Sequence, residues 1–515
     1  MKDYSFGNHI CALRMRAGLS QFQLGNLVGV SDKAVSKWEN GDAKPRIGTC
    51  YRLAEVLGIN INELLSCNTT MPARKELNIM NRKMWKEARE RLSIYGENPP
   101  VLCWSRLAAE QAALEETDAI LSIAVLSQIA KEAEKRNTLV IENGQISSSF
   151  TAWLLGASKV NPLPPHYRCP KCGNTEFVFQ AKDGFDLPRK HCSCGAEMLR
   201  DGHDLPYAGY AKVAQAKMSV NLCVSPKFMP TAAQVIKDFY EGTAKILPVK
   251  YKDCEDSALY SSEIYVVLTD REDIPPVSKD GFWHVNSTEF WYWWKDEFMY
   301  ELIADKQIQK LEELQEKTNT ALPNPLEYIT PETAEKLYKN RCSNSEHAAA
   351  STEDLCRNLR HNFELLLKLD GFTHATGAWY DKWINDGVET YYSNGKKLVN
   401  EGRATILDIP AFREDIWNDI SAALSNSGIR YDGLATEIMD NARKGKYSGR
   451  GMPVELERML LSLDLPEWYP EYLKKVMYLF PKGHCISLLL FDLILEWYYA
   501  NYPNNCTELD KHFPL

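Results

Sequence analysis

The chain has 515 residues, a net charge of −9, 44% hydrophobic residues and 25% charged residues, enough for about three domains with cores of their own. The acidic balance excludes a surface coated throughout for nucleic acid, so any such contact must be local. A membrane span is excluded as well, because Asp492 interrupts the longest apolar run, Ile486 to Leu495, which reads as a buried helix.

From the N-terminus, Asn8 to Arg16 reads as a helix, and Ala17 to Gln21 as a turn whose Ser20 caps the next helix. That helix, Gln21 to Val28, carries Leu24, Leu27 and Val28 on its apolar face. Gly29 makes a turn, Ser31 caps a third helix, and Val35 and Trp38 fall three apart on its inner side. Asp32, Lys33, Ser36 and Lys37 then point outward together, as a major-groove recognition helix requires. Cys50 to Leu57 and Asn60 to Leu65 close a five-helix core. Residues 1–66 hold 8 Lys and Arg against 6 Asp and Glu, so one copy would bind duplex DNA weakly and a homodimer on two half-sites is expected. With this unit starting almost at once, no leader peptide is expected.

Residues 67–80 read as a hinge. Beyond them, Cys169, Cys172, Cys192 and Cys194 stand apart from the other ten cysteines, whose scatter suits free thiols in a reducing cytoplasm. Cys-Pro-Lys-Cys-Gly is a metal knuckle: two thiolates bind one ion and the glycine lets backbone amides turn toward sulfur. Nineteen residues further on comes a tighter Cys-x-Cys pair, where His191 is an alternative to Cys192 because His191 and Cys194 have the ordinary knuckle separation. Four such ligands predict one structural Zn²⁺ with no open position for water. Phe290 to Trp294 spells an aromatic run that suits a core better than a base-stacking platform. Residues 300–318 read as an amphipathic helix and 320–350, with its prolines, as a linker. Arg443, Lys444, Lys446, Lys482 and His484 fit either a basic binding edge or a solvated face.

Residues 7–66 resemble the Cro/λ-repressor-like (XRE) family, with "LSQFQLGNLVGVSDKAVSKWENG" as the matching tract. The resemblance implies that Gln21 and Asn40 touch phosphates while Asp32, Lys33 and Lys37 face base edges. Gly25 departs from the family's usual alanine, weakening the helix by about 1 kcal/mol but suiting a tight helix contact. The rest of the chain has a second resemblance. "NPLPPHYRCPKCG", "GFDLPRKHCSCG" and "DGHDLPY" resemble the zinc-containing segment of the PolC-type α subunit of bacterial DNA polymerase III. "WKEARERLSIYG" from Trp85, "FTHATGAW" at 372–379, "RKGK" at 443–446, "LPEWY" at 465–469 and "VMYLFPKGH" at 476–484 extend the likeness in order over about residues 76–505.

That likeness implies a multidomain chain: an all-α helix-turn-helix over 1–66, then an α+β core. Its parts would be a nucleotidyltransferase-type palm (81–160 and, eroded, 211–319), a zinc ribbon (161–210) and a largely helical fingers-like domain (351–505). Nucleotidyl transfer needs two divalent metals on carboxylates. The family supplies two from an Asp-Ile-Asp strand, whereas this chain has Ser219 and Asn221 there, neutral ligands too weak for Mg²⁺ alone. The third carboxylate falls near Glu301. The family's phosphate loop, Gly-Ser-Arg-Gly-Ser-Val-Gly-Ser-Ser, is replaced by Ile141 to Ser149, with Glu142 where phosphates would sit.

The sequence therefore predicts a non-enzymatic DNA-binding regulator on double-stranded DNA. Its inactivated polymerase core would dock or sense a replication protein or a primer-template-like nucleic acid. An active, divergent polymerase is one alternative reading. A decoy that competes with the replicative polymerase for its partners is another.

Overall fold

The structure is a computed structural model describing residues 19–40, 43–59, 74–117, 120–143, 146–206, 220–240, 244–251, 264–268, 278–285, 299–325, 363–385, 388–428 and 432–511, with residue 64 and several positions between 7 and 17. The N-terminal unit is helical. Ser20 and Gln23 form a reciprocal capping box on the helix Gln21–Val28, Gly29 ends it at φ 74°, and Ser31 caps the helix Asp32–Glu39. Leu24, Val28, Val35, Trp38, Cys50 and Leu53 pack into one core. Leu27 lies outside it, 57% exposed. Leu24 and Val28, four apart, already fill the inward stripe, and Leu27 falls beside it. The next helix is Ile47–Val56, opening three residues before the expected Cys50 because the extended Arg46 that follows Pro45 is its N-cap. Within Gln21–Val28, a Cβ on Gly25 would meet the carbonyl oxygen of Val30 at 2.8 Å, so the tight turn after that helix favours glycine.

The second unit is built on a six-stranded mixed sheet. Its strands are β1 (Val140–Asn143), β5 (Val220–Val224), β6 (Lys245–Tyr251), β7 (Ile264–Leu268), β8 (Trp283–Val285) and β9 (Met299–Ala304), in the order β1-β5-β9-β7-β6-β8. The segments 81–160 and 211–319 thus share one sheet, since β1 pairs antiparallel with β5. On one face Val220, Leu222, Val224, Tyr300 and Leu302 pack under the helices Ile120–Lys135 and Met229–Phe239. On the other, Ile141, Cys223 and Ile303 meet the helices Lys306–Thr318, Lys482–Asn501 and Pro503–Asp510.

Several expected boundaries move. Residues 300–304 are strand rather than the start of a helix, being buried on both faces; the helix begins after Asp305, whose carboxylate accepts the amides of Gln307 and Ile308. Residues 74–80 belong to the helix Arg74–Arg91 rather than to a hinge, while 67–73 lie outside the described residues, as do Phe290 to Trp294 and 326–350. Of the expected linker, 320–325 follow the Lys306–Thr318 helix and form no long element. The fingers-like region also contains a hairpin, β10 (Tyr380–Asn385) with β11 (Val388–Ser393). Its last helix runs past residue 505, burying Cys506 and Leu509 against the sheet-side core. The expected buried helix at 486–495 lies within Lys482–Asn501. Among the described residues no helix is long and apolar enough to cross a membrane.

A small three-stranded sheet carries the four cysteines: β2 (His166–Arg168) lies between β3 (Thr175–Phe177) and β4 (Leu199–Asp201). It is tied to its surroundings by polar contacts. Asp186 accepts the backbone amides of Phe363 and Glu364 at 2.5 and 3.0 Å, capping the helix Phe363–His374. Gly173, at φ 71°, packs directly on Gly96, whose backbone nitrogen would lie 2.1 Å from an added Cβ.

Candidate functional site

On the helix Asp32–Glu39, Asp32, Lys33 and Lys37 are exposed and Ser36 and Asn40 are half-buried. Asn40 Nδ2 donates to Ser36 Oγ at 3.3 Å, and the Asp32 carboxylate accepts the Lys33 amide at 2.8 Å. Below them Glu39, 1% exposed, gathers two donors: Arg14 at 2.6 and 3.1 Å and Gln21 Nε2 at 2.7 Å. Burial works against the Arg14 charge, but Glu39 outweighs it and raises the Arg14 pKa. This ion pair fixes the angle between the helices. Gln21 spends one amide hydrogen inward on Glu39. Arg14 and Glu39 escaped the sequence reading because a charge on an inward helical position looks like any surface charge until its partner is known.

In the cysteine cluster the four sulfurs of Cys169, Cys172, Cys192 and Cys194 lie within 4.8 Å of one another. Cys169 approaches Cys194 at 3.4 Å and Cys172 approaches Cys192 at 3.6 Å. His191 is exposed and lies outside the group, bridged to Glu197, so Cys192 is the fourth donor. Backbone amides lower the Cys169 thiol and bring Cys192 down to about 6. Cys172 also receives an amide, from Asn174, yet its neighbouring thiols push it up to about 12. Four thiols so close cannot all ionise unaided, and a tetrahedral divalent cation is what such a donor set fits.

The palm-like site is on the neighbouring interior strands β5 and β9. These strands run parallel with Asn221 beside Glu301, so both side chains leave the same face. Asn221 Nδ2 donates to Glu301 Oε2 at 2.6 Å, and Glu301 is 6% exposed. The sequence placed Glu301 near this point without a firm register, and the sheet supplies it. Ser219 lies outside the described residues. Within β1, Glu142 is buried, accepts from Ser158 Oγ and from Ser487 Oγ at 3.3 Å, and has its pKa raised by that burial. Ser147 fits against Gly483, and Ser149 caps the helix Phe150–Leu154.

A residue missed at the sequence level closes this loop. Glu110, fully buried, accepts Ser149 Oγ at 2.9 Å and the amides of Phe150 and Thr151 at 2.8 Å each. Arg106 holds it at 2.7 Å and donates to Ser148 O at 2.7 Å. The amides that a phosphate would use at this helix start are already committed to a carboxylate. The basic residues of the fingers-like region are committed too. Arg443 and Lys444 pair with Asp440, Lys446 donates to Asn441, and Lys482 Nζ donates to His203 O at 3.1 Å. His484 is held far below the usual histidine range, at about 3, by burial and then by His374 and Arg413.

These features define a helix-turn-helix unit joined to a mixed helix-and-sheet core of polymerase-like organisation. The Helix-turn-helix family matches residues 12–64. The chain is 25% identical over 477 residues to the PolC-type DNA polymerase III of Lacticaseibacillus paracasei, covering 80% of this chain and 31% of that protein. It is 24% identical over 481 residues to the PolC-type DNA polymerase III of Thermotoga maritima (80% and 33%) and 24% over 472 residues to that of Bacillus cereus (80% and 31%). It therefore spans about a third of the length of these relatives.

Proposed function

We propose that this protein is a cytoplasmic, sequence-specific regulator that binds double-stranded DNA as a homodimer through residues 1–66. Its PolC-like core no longer transfers nucleotides. It docks or senses a partner, either a component of the replication machinery or a primer-template-like nucleic acid. One structural Zn²⁺ on Cys169, Cys172, Cys192 and Cys194 would hold the ribbon, and Lys33, Lys37 and Asp32 would read base edges while Gln21 and Asn40 hold phosphates.

The observation that carries this reading is the Asn221–Glu301 hydrogen bond. A two-metal site needs carboxylates that repel one another until cations arrive. Here an amide stands beside a single acid and donates to it, so no repulsion between carboxylates is left for a cation to relieve. Glu142 and Glu110 in and behind the former phosphate loop point the same way.

Primer extension tests it. Purified protein with Mg²⁺ or Mn²⁺ should add no nucleotide to a primed template, since the metals supply most of the electrostatic stabilisation of the transition state. Template-dependent incorporation abolished by Glu301→Gln would overturn the inactive-core reading.

A further inference from the structure

The four cysteines are not the sole group of candidate metal donors among the described residues. Asp370 and His374, four apart near the end of the helix Phe363–His374, share one face of it. Cys485 stands in the first turn of the helix Lys482–Asn501, which packs against the first. A carboxylate oxygen of Asp370, a ring nitrogen of His374 and the sulfur of Cys485 lie within 4.8 Å of one another. Asp370 is 3% exposed and Cys485 fully buried, while His374 reaches the surface with 28% of its side chain exposed. Nothing in the polymerase resemblance or the helix-turn-helix assigns this trio a role.

The surroundings hold the trio in place. His374 Nδ1 lies 3.0 Å from the Asp370 carbonyl oxygen and 3.6 Å from its carboxylate. A bridge between Thr376 and Tyr478 fixes the two chain segments beside it. Phe480 packs edge-on against His374 and stacks on His484, screening that side from water. His484, next to Cys485, has its ring 6.1 Å from that of His374 and perpendicular to it. Its Nδ1 is enclosed and makes no hydrogen bond among the described residues. An enclosed imidazole nitrogen with nothing to bond is costly, and a metal-bound ligand or water would satisfy it.

We infer that Asp370, His374 and Cys485 form a second metal site, one that takes a single divalent transition ion of the zinc type. One carboxylate, one imidazole and one thiolate make a borderline set that suits zinc and rejects magnesium or calcium, which want oxygen throughout. Three protein ligands leave a fourth position for water or for a ligand from outside. The ion would clamp the helix Phe363–His374 to the start of Lys482–Asn501, so the fingers-like region would respond to metal supply independently of the ribbon.

The test is metal stoichiometry on the full chain. Reduced protein is loaded with Zn²⁺, desalted and assayed for bound metal, alongside Asp370→Asn, His374→Ala and Cys485→Ala. The wild type should hold one equivalent more than each variant, whatever the ribbon contributes. Chelator should lower the thermal midpoint of the wild type by more than that of Cys485→Ala. Asp370→Asn, which preserves shape, guards against a folding artefact. Equal metal content in the wild type and in folded Asp370→Asn and Cys485→Ala would overturn the site.

Discussion

The helix-turn-helix and the palm-like sheet keep different things. In the first, the scaffold is packed and the proposed binding face is open: Val35 and Trp38 are buried, Glu39 gathers Arg14 and Gln21, and Asp32, Lys33 and Lys37 stand exposed on the outer side. In the second, the sheet is well packed, and we propose that its chemistry has changed. β5 and β9 still set two side chains side by side, but the pair is an amide donating to a carboxylate. A fold held by many apolar contacts survives the loss of a few acids. A two-metal centre does not, because its function rests on those few charges.

The largest expected effect tests whether the core is a folded module in its own right. Cys169→Ser should release the ribbon metal and make residues 161–206 protease-sensitive, while the N-terminal unit keeps its structure. Structural zinc contributes on the order of 10 kcal/mol to the folding of small sites. Metal analysis with limited proteolysis checks this, and unchanged proteolysis of a metal-free variant would mean that the ribbon stands without its ion.

A smaller effect sharpens the other side of the comparison. Lys37→Ala should relax preference at one base pair of the target at a cost of roughly 1–3 kcal/mol, because a lysine donor to guanine is lost. Competition binding with single-base-substituted duplexes would show it. A uniform loss over all sequences would instead make Lys37 a phosphate contact.

The smallest effect concerns Glu142. Its folded-state pKa is raised, by burial, above the ordinary value of 4.5. The stability linked to its proton is therefore fully present below that value and is lost as pH rises through the raised one. Glu142→Gln should remove this loss. The variant should melt at or above the wild type at pH 7, with the difference shrinking as pH falls toward 4.5. A variant that melts well below the wild type at pH 7 would show that Glu142 is needed as a charge.

The sequence made some of this legible and hid the rest for physical reasons. Caps and turns such as Ser20, Gly29 and Ser31 act on residues within a few positions, so their consequences can be read locally. The cysteine spacing was legible for the same reason, although Cys192 and His191 separated only when the sheet turned one inward and the other out. Residues 300–304 were misread as helix because a strand buried on both faces shows no alternation of apolar and polar residues, and Glu301 within it gives no period of its own. Glu110, Arg14 and Glu39 were invisible because a buried charge is recognised by partners far away in sequence, as with Glu110 and Phe150. The Asn221–Glu301 contact needed the register of two strands eighty residues apart.

The most direct test of the account is a binding selection from a random pool that contains duplex, single-stranded and primer-template DNA, using the full-length protein. The helix-turn-helix predicts enrichment of a duplex inverted repeat with half-sites about one helical turn apart. It also predicts that Lys33→Ala or Lys37→Ala alters the enriched sequence. Enrichment of single-stranded or primer-template forms over duplex, unaffected by those substitutions, would mean that the polymerase-like core chooses the DNA and would contradict the regulator reading.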